Sequence, residues 1–261
     1  MPIEPITIAI TGKGGVGKTT FTGLLIKSLL NQSKKKILII DADPASNLAD
    51  ILGISTFITV GQIIDRIRHE IKKKSEYYDA GALLEFRLWD EALVEDPWFH
   101  FLAMGYTSGR GCYCMINDVL TYLLENLKSY YDLVILDMDA GLEHISRSTK
   151  RPINLTFLLT DPSLMGFQTV ERIVELAREL HNPIEKFILV GNMFPDEQSQ
   201  GKLQNLAEDL HIPLLGVIPL DKNIARMNLQ GESLLNISIT SPAYQKIDRF
   251  LITLFNDLKI L

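Results

Sequence analysis

A mostly parallel β-sheet flanked by helices on both faces is the α/β fold this sequence predicts, and three observations lead there. Short runs of Ile, Leu and Val recur along the chain, as strands buried on both faces require. Stretches of helical period separate them, the alternation of a βαβ chain. One junction between such a run and a helix, Gly12 to Thr20, is rich in glycine and carries two lysines. That composition marks a strand-to-helix loop that holds phosphate.

Taken in order, the predicted strands are Ile6–Ile10, Ile37–Ile40, His100–Met104, Leu133–Leu136, Leu155–Leu159, Phe187–Val190 and Leu215–Ile218. The predicted helices are Thr19–Leu30, Val60–Lys72, Asp118–Leu127, Thr169–Leu180, Lys202–Leu210 and Pro242–Leu258. Thr59-Val60-Gly61-Gln62 has the spacing of a capping box. The lysine runs 34–36 and 72–74 read as solvated faces at helix ends, where positive charge suits the helix dipole. Residues 60–117 are less regular. They hold both tryptophans and the glycine-rich stretch Gly105 to Gly111, and they read as an elaboration on a single domain spanning 1–261.

Length and composition narrow the function. A chain of 261 residues can bury a substantial core. Its net charge of −6 argues against a nucleic-acid surface over the whole molecule. No apolar run approaches the roughly 18 residues of a membrane-spanning helix, and the start, Met1-Pro2-Ile3-Glu4, lacks the character of a signal peptide. The two cysteines, Cys112 and Cys114, are too close for a useful disulfide. Reduced thiols in a cytoplasm, with neither nucleic acid nor membrane as partner, are the expectation.

Gly12, Gly17, Lys18 and Thr19 meet the phosphate-loop pattern. The backbone of Gly12, Lys13, Gly14, Gly15, Val16, Gly17, Lys18, Thr19 and Thr20 is the expected cradle for ATP or ADP. Lys18 is expected to reach the β- and γ-phosphates, and the Thr19 hydroxyl to hold Mg²⁺. Leu133 to Asp137 is an apolar strand ending in a carboxylate, placed to support the same ion. Asn192 follows a later strand, where its amide can read adenine; the guanine-reading Asn-Lys-x-Asp pattern is absent. Pro219, closing Gly216 to Pro219, either forms another wall of the base pocket or simply ends a strand.

The string Lys13 to Thr19 resembles the deviant Walker A motif of the MinD, ParA and nitrogenase-iron-protein superfamily, a group of P-loop NTPases. The resemblance implies a nucleotide-dependent homodimer in which Lys13 reaches the partner's nucleotide. It also implies catalytic roles for Lys13, Lys18 and Asp43. Asp41 to Asn47 is similar to the switch I segment, where the aspartate before proline places the attacking water. Asp43 holds that position, and an Asx turn is the alternative. Asp139-Ala140-Gly141 resembles switch II, where the Gly141 N–H senses the γ-phosphate; Asp139 departs from the small residue of that pattern.

Cys112 and Cys114 stand at i and i+2, so in an extended chain both sulfurs face one ion. Thiolates select Ni²⁺, Zn²⁺ or Cu⁺. Two ligands half-fill a four-coordinate site, and a two-fold dimer would complete it. Cys-x-Cys followed by Asp137 to His144 is similar to the nickel-insertion accessory ATPases of the CooC and AcsF type. That likeness implies ATP hydrolysis coupled to nickel delivery, with carbon monoxide dehydrogenase or acetyl-CoA synthase as client. His144 reads as a switch histidine, and His69, His100, His181 and His211 lack ligand spacing. A positioning ATPase on membrane or DNA and an iron–sulfur carrier remain alternative readings.

Overall fold

The computed structural model describes residues 5–73, 80–107, 119, 121–122, 130–139, 153–179 and 184–257. Its chain order is β1 (Ile6–Gly12), α1 (Lys18–Gln32), β2 (Ile37–Asp41), α2 (Leu48–Leu52), α3 (Val60–Lys73) and α4 (Ala80–Arg87). A π-helical turn (Leu88–Ala92), β3 (Val94–Glu95), β4 (His100–Ala103), β5 (Leu133–Asp137) and β6 (Leu155–Thr160) follow. Then come α5 (Leu164–Glu179), β7 (Phe187–Asn192), α6 (Glu197–Asp209), β8 (Leu214–Ile218), α7 (Lys222–Gln230), a 3₁₀ turn (Leu234–Asn236) and α8 (Pro242–Asp257).

The strands form one eight-stranded sheet in the order β3-β4-β2-β5-β1-β6-β7-β8. Every pairing is parallel except β3 with β4 at the edge. The predicted strands are all present, and apart from the edge strand β8 they are buried along most of their length. β2, β5 and β6 are buried along their whole length. Successive side chains alternate between two clusters, as the pleat dictates. Ile8, Ile10, Ile37 and Ile39 pack with Phe21 and Leu25 of α1 and Phe255 of α8. Ala9, Leu38 and Ile40 pack with Ile63 of α3, Val170 of α5 and Leu203 of α6. Each fully buried large side chain contributes about 1.5–3 kcal/mol relative to exposure.

The helices depart more from expectation. α5 begins at Leu164 and α6 at Glu197, each five residues earlier than predicted. For α6 the cause is Asp196, whose carboxylate accepts the Ser199 N–H at 2.8 Å and so caps the helix. α2, α4 and α7 were not predicted; α2 and α4 are short. The capping box is present as read: Gln62 N–H donates to Thr59 Oγ1 and Thr59 N–H to Gln62 Oε1. Most of the predicted helix Asp118–Leu127 lies outside the described residues. α8 buries Tyr244, Ile247, Leu251 and Phe255. Among the described residues, no helix is long and apolar enough to cross a membrane.

The parallel register brings the carboxyl ends of the central strands to one edge. Ile10 pairs with Asp137, Asp41 with Asp137, and Gly12 with Leu159. The loops that follow these strands therefore meet, as in other open α/β sheets.

Candidate nucleotide site

Gly12 must be glycine, since a Cβ there would lie 2.1 Å from the Leu159 carbonyl oxygen. Gly17 precedes α1 with a left-handed φ of 90° and leaves the helix without a side-chain cap. The first-turn N–H groups of α1 are thus free of a capping side chain, and an anion is the acceptor that best fits their dipole. Lys18 is 7% exposed. Its ammonium group donates to the carbonyls of Gly12 (3.2 Å) and Lys13 (3.3 Å), folded back into the loop. Gly14 and Gly15 are exposed, Val16 is buried, and Thr19 and Thr20 are half-buried at the start of α1.

Beneath the loop lie two buried carboxylates on neighbouring strands. Burial, opposed by the Thr19 and Thr22 hydroxyls and the Lys18 charge, raises the Asp137 pKa to about 6. Thr22 Oγ1 donates to Asp137 Oδ1 at 3.0 Å, while Asp137 Oδ2 is buried without a hydrogen-bond partner. Burial and then the Asp137 charge raise the Asp41 pKa to about 8, against backbone N–H donation from Leu48 and Asp43. An orphaned carboxylate oxygen, a neighbouring hydroxyl and a second carboxylate are an all-oxygen donor set, which fits Mg²⁺. Asp43 is half-buried and accepts the Ala45 N–H at 2.8 Å, an Asx turn at the end of β2.

Lys13 leaves the loop in another direction. Its ammonium group pairs with Asp161 Oδ2 at 2.7 Å and with Ser163 Oγ at 3.0 Å. Burial would raise the Asp161 pKa, but Lys13 and Ser163 outweigh it and hold the carboxyl below its usual range. Leu164 and Met165, next along the chain, are 71% and 68% exposed. On the other flank, Asn192 Nδ2 donates to the Val16 carbonyl at 2.9 Å. The side chain expected to read a base here braces the loop. Pro219 is exposed just beyond β8.

A family model described as the CobQ/CobB/MinD/ParA nucleotide-binding domain matches residues 7–234. The chain belongs to this family. An uncharacterized ATP-binding protein of Methanocaldococcus jannaschii is 38% identical over 92% of the chain and 95% of its own length. The carbon monoxide dehydrogenase accessory protein CooC of Rhodospirillum rubrum is 30% identical over 88% of the chain and 90% of its own. Among solved structures, MinD of Pyrococcus horikoshii with Mg-ADP superposes over 98% of both chains with a TM-score of 0.70 at 22% identity. As a CobQ/CobB/MinD/ParA-family member, the chain is an ATP-binding P-loop ATPase.

The structure brings Gly12 through Thr20, Asp43, Asp137 and Asn192 to one edge of the sheet. Gly141, His144, Cys112 and Cys114 lie outside the described residues. Among the described residues, no group of three or more His, Cys, Asp or Glu side chains is arranged to hold a metal. Sequence reasoning missed Asp41, Thr22, Asp161 and Ser163. Asp41 and Asp161 each stand at the end of an apolar strand, the signal that singled out Asp137.

Proposed function

We propose that this chain is a cytoplasmic, ATP-hydrolysing homodimer that carries nickel to carbon monoxide dehydrogenase or acetyl-CoA synthase. Cys112 and Cys114 of each copy hold one nickel or zinc ion as cargo on the two-fold axis. The observation that carries the dimer is the placement of Lys13. Its ammonium group is held by Asp161 and Ser163 and not by the phosphate loop, and the residues that follow them, Leu164 and Met165, are exposed apolar surface that a second copy would cover. The 30% identity to the carbon monoxide dehydrogenase accessory protein supports the cargo and the client.

In this reading Lys18 swings from the Gly12 and Lys13 carbonyls to the β- and γ-phosphates of ATP. The amides of Gly14 through Thr20 and the α1 N-terminus bind the remaining phosphate oxygens. Thr19 and Asp137 would hold Mg²⁺, which neutralises charge on the phosphates when bound. Asp43 orients the attacking water, and the Gly141 N–H registers the γ-phosphate. Asn192 and Pro219 flank the adenine. Lys13 exchanges Asp161 for the partner's nucleotide, so hydrolysis loosens the dimer and opens the shared thiolate site.

The test is anaerobic nickel and zinc stoichiometry, measured with ADP and with a non-hydrolysable ATP analogue. About one ion per two chains is expected, with affinity that changes between nucleotides. Substituting both Cys112→Ser and Cys114→Ser should abolish metal binding and spare ATP binding. A protein that stays monomeric with ATP, or a serine variant that keeps its ion, overturns the reading. The MinD-like fold favours one alternative, a positioning ATPase on a membrane. In that case the protein would co-sediment with anionic liposomes in ATP, although α8 already packs its apolar side on α1.

A further inference from the structure

A cavity of about 1130 Å³ opens at the amino ends of β2 and β4, where Ile37 and His100 begin their strands. The nucleotide loop sits at the other end of α1, which spans about 22 Å at helical rise. Both tryptophans of the chain, Trp89 and Trp98, line this cavity. Trp89 is carried by the π-helical turn, a local irregularity common at functional sites. Its ring lies 5.8 Å from that of Tyr130. Tyr131 is buried, with its hydroxyl 2.6 Å from His100 Nδ1, which fixes one wall. Trp98 and Tyr130 are 70% and 60% exposed, an arrangement that core packing does not require.

The charges around these rings are unequal in their engagement. Glu85 takes the Tyr122 hydroxyl, and Asp96 accepts the Trp98 backbone N–H at 2.9 Å. Accepting a hydrogen bond does not cancel a carboxylate's charge, so Glu85, Glu95 and Asp96 formally balance three lysines. What differs is that two of these acids already have a donor from the chain. Lys34, Lys35 and Lys36 also line the cavity, and among the described residues their ammonium groups have no carboxylate partner. Aromatic faces supply stacking surface and the ammonium groups supply charge. A concave site of this size with a few polar groups is suited to a small organic molecule.

We propose that this cavity is a second ligand site, specific for a planar aromatic anion and independent of the nucleotide. The experiment uses the full chain saturated with Mg-ADP. The two indole N–H signals in ¹⁵N NMR both report on the cavity. The probes are 2-naphthyl phosphate and flavin mononucleotide, with 2-naphthol, inorganic phosphate and 2-naphthylmethylamine as neutral, ring-free and cationic controls. Both anionic aromatics are expected to shift the indole signals saturably, with each control at least about tenfold weaker. Replacing Lys34, Lys35 and Lys36 together by serine should weaken the anions about tenfold or more and leave 2-naphthol unchanged. Absence of saturable shifts with both anions, equal binding of the cationic probe, or affinity indifferent to the lysines would each overturn the proposal.

Discussion

At the carboxyl end of the sheet, the polar side chains nearest the phosphate loop have chain partners, the buried Asp137 Oδ2 excepted. Lys18 rests on two carbonyls, Lys13 on Asp161, and Asp41 on two backbone N–H groups. At the amino end, Lys34 to Lys36 stand beside a ring-lined cavity with no such partner among the described residues. The first region is built by short, contiguous segments whose geometry is set locally by glycines and a helix start. The second is assembled from the end of α1, the turn after α4, β4 and the residues before β5. Polar groups with partners hold the phosphate loop in place, and Asp137 Oδ2 is the exception there; at the amino end three ammonium groups at the surface stand unpartnered among the described residues.

The largest effect should come from Lys18→Ala, which removes the buried ammonium group that faces the loop interior. Phosphate release from ATP should fall about a hundredfold or more, while circular dichroism shows an intact fold. Retained hydrolysis would mean that the loop geometry is not catalytic geometry.

Asp137→Asn should nearly abolish magnesium-dependent hydrolysis and yet stabilise the nucleotide-free protein. The sign follows from the buried carboxyl, raised from 3.8 to about 6. Below the lower value both folded and unfolded chains are protonated. As pH rises through this window the unfolded chain ionises more freely, so stability is lost, and the loss is complete above the folded value. An asparagine oxygen can still accept from Thr22, and its NH₂ would occupy the position that now lacks a partner. Thermal unfolding should therefore show a higher Tm for the variant at pH 8 and little difference at pH 4.

Asp161→Ala frees Lys13 from an ion pair whose side chains are 29% and 21% exposed. Such a pair is worth at most about 1 kcal/mol, so ATP-dependent dimerisation should tighten up to about fivefold. Sedimentation velocity would show it, and Lys13→Ala should move the equilibrium the other way. The smallest effect belongs to Trp98→Ala, which should alter stability by no more than about 0.5 kcal/mol, as urea unfolding would register. A larger loss would make the exposed indole part of the fold and erase the contrast between the two ends.

The strands were legible because burial on both faces leaves only one kind of sequence, and Ile37 to Asp41 illustrates it. The positions of Lys18 at the start of α1 and Asp137 at the end of β5 were legible for a different reason: contiguous segments place them. Asp161 was not, since its partner Lys13 is far away in sequence and meets it only after β1 and β6 pair as neighbours. The amino-end cavity was invisible to sequence reading because its rings come from segments that no local pattern connects. Lys34 to Lys36 looked like an ordinary solvated helix end. What distinguishes them is the set of aromatic rings that folding brings alongside.

The paired carboxyls beneath the loop have a calorimetric consequence. With its pKa near 8, Asp41 carries a proton at neutral pH in the nucleotide-free protein. On nucleotide loading, a magnesium ion held by Thr19 and the neighbouring Asp137 would lie closer to Asp41 than the phosphate charge does and would favour release of that proton into the buffer. The measured heat of loading should then depend on the buffer's own ionisation enthalpy, with different apparent enthalpies in phosphate and in Tris at the same pH.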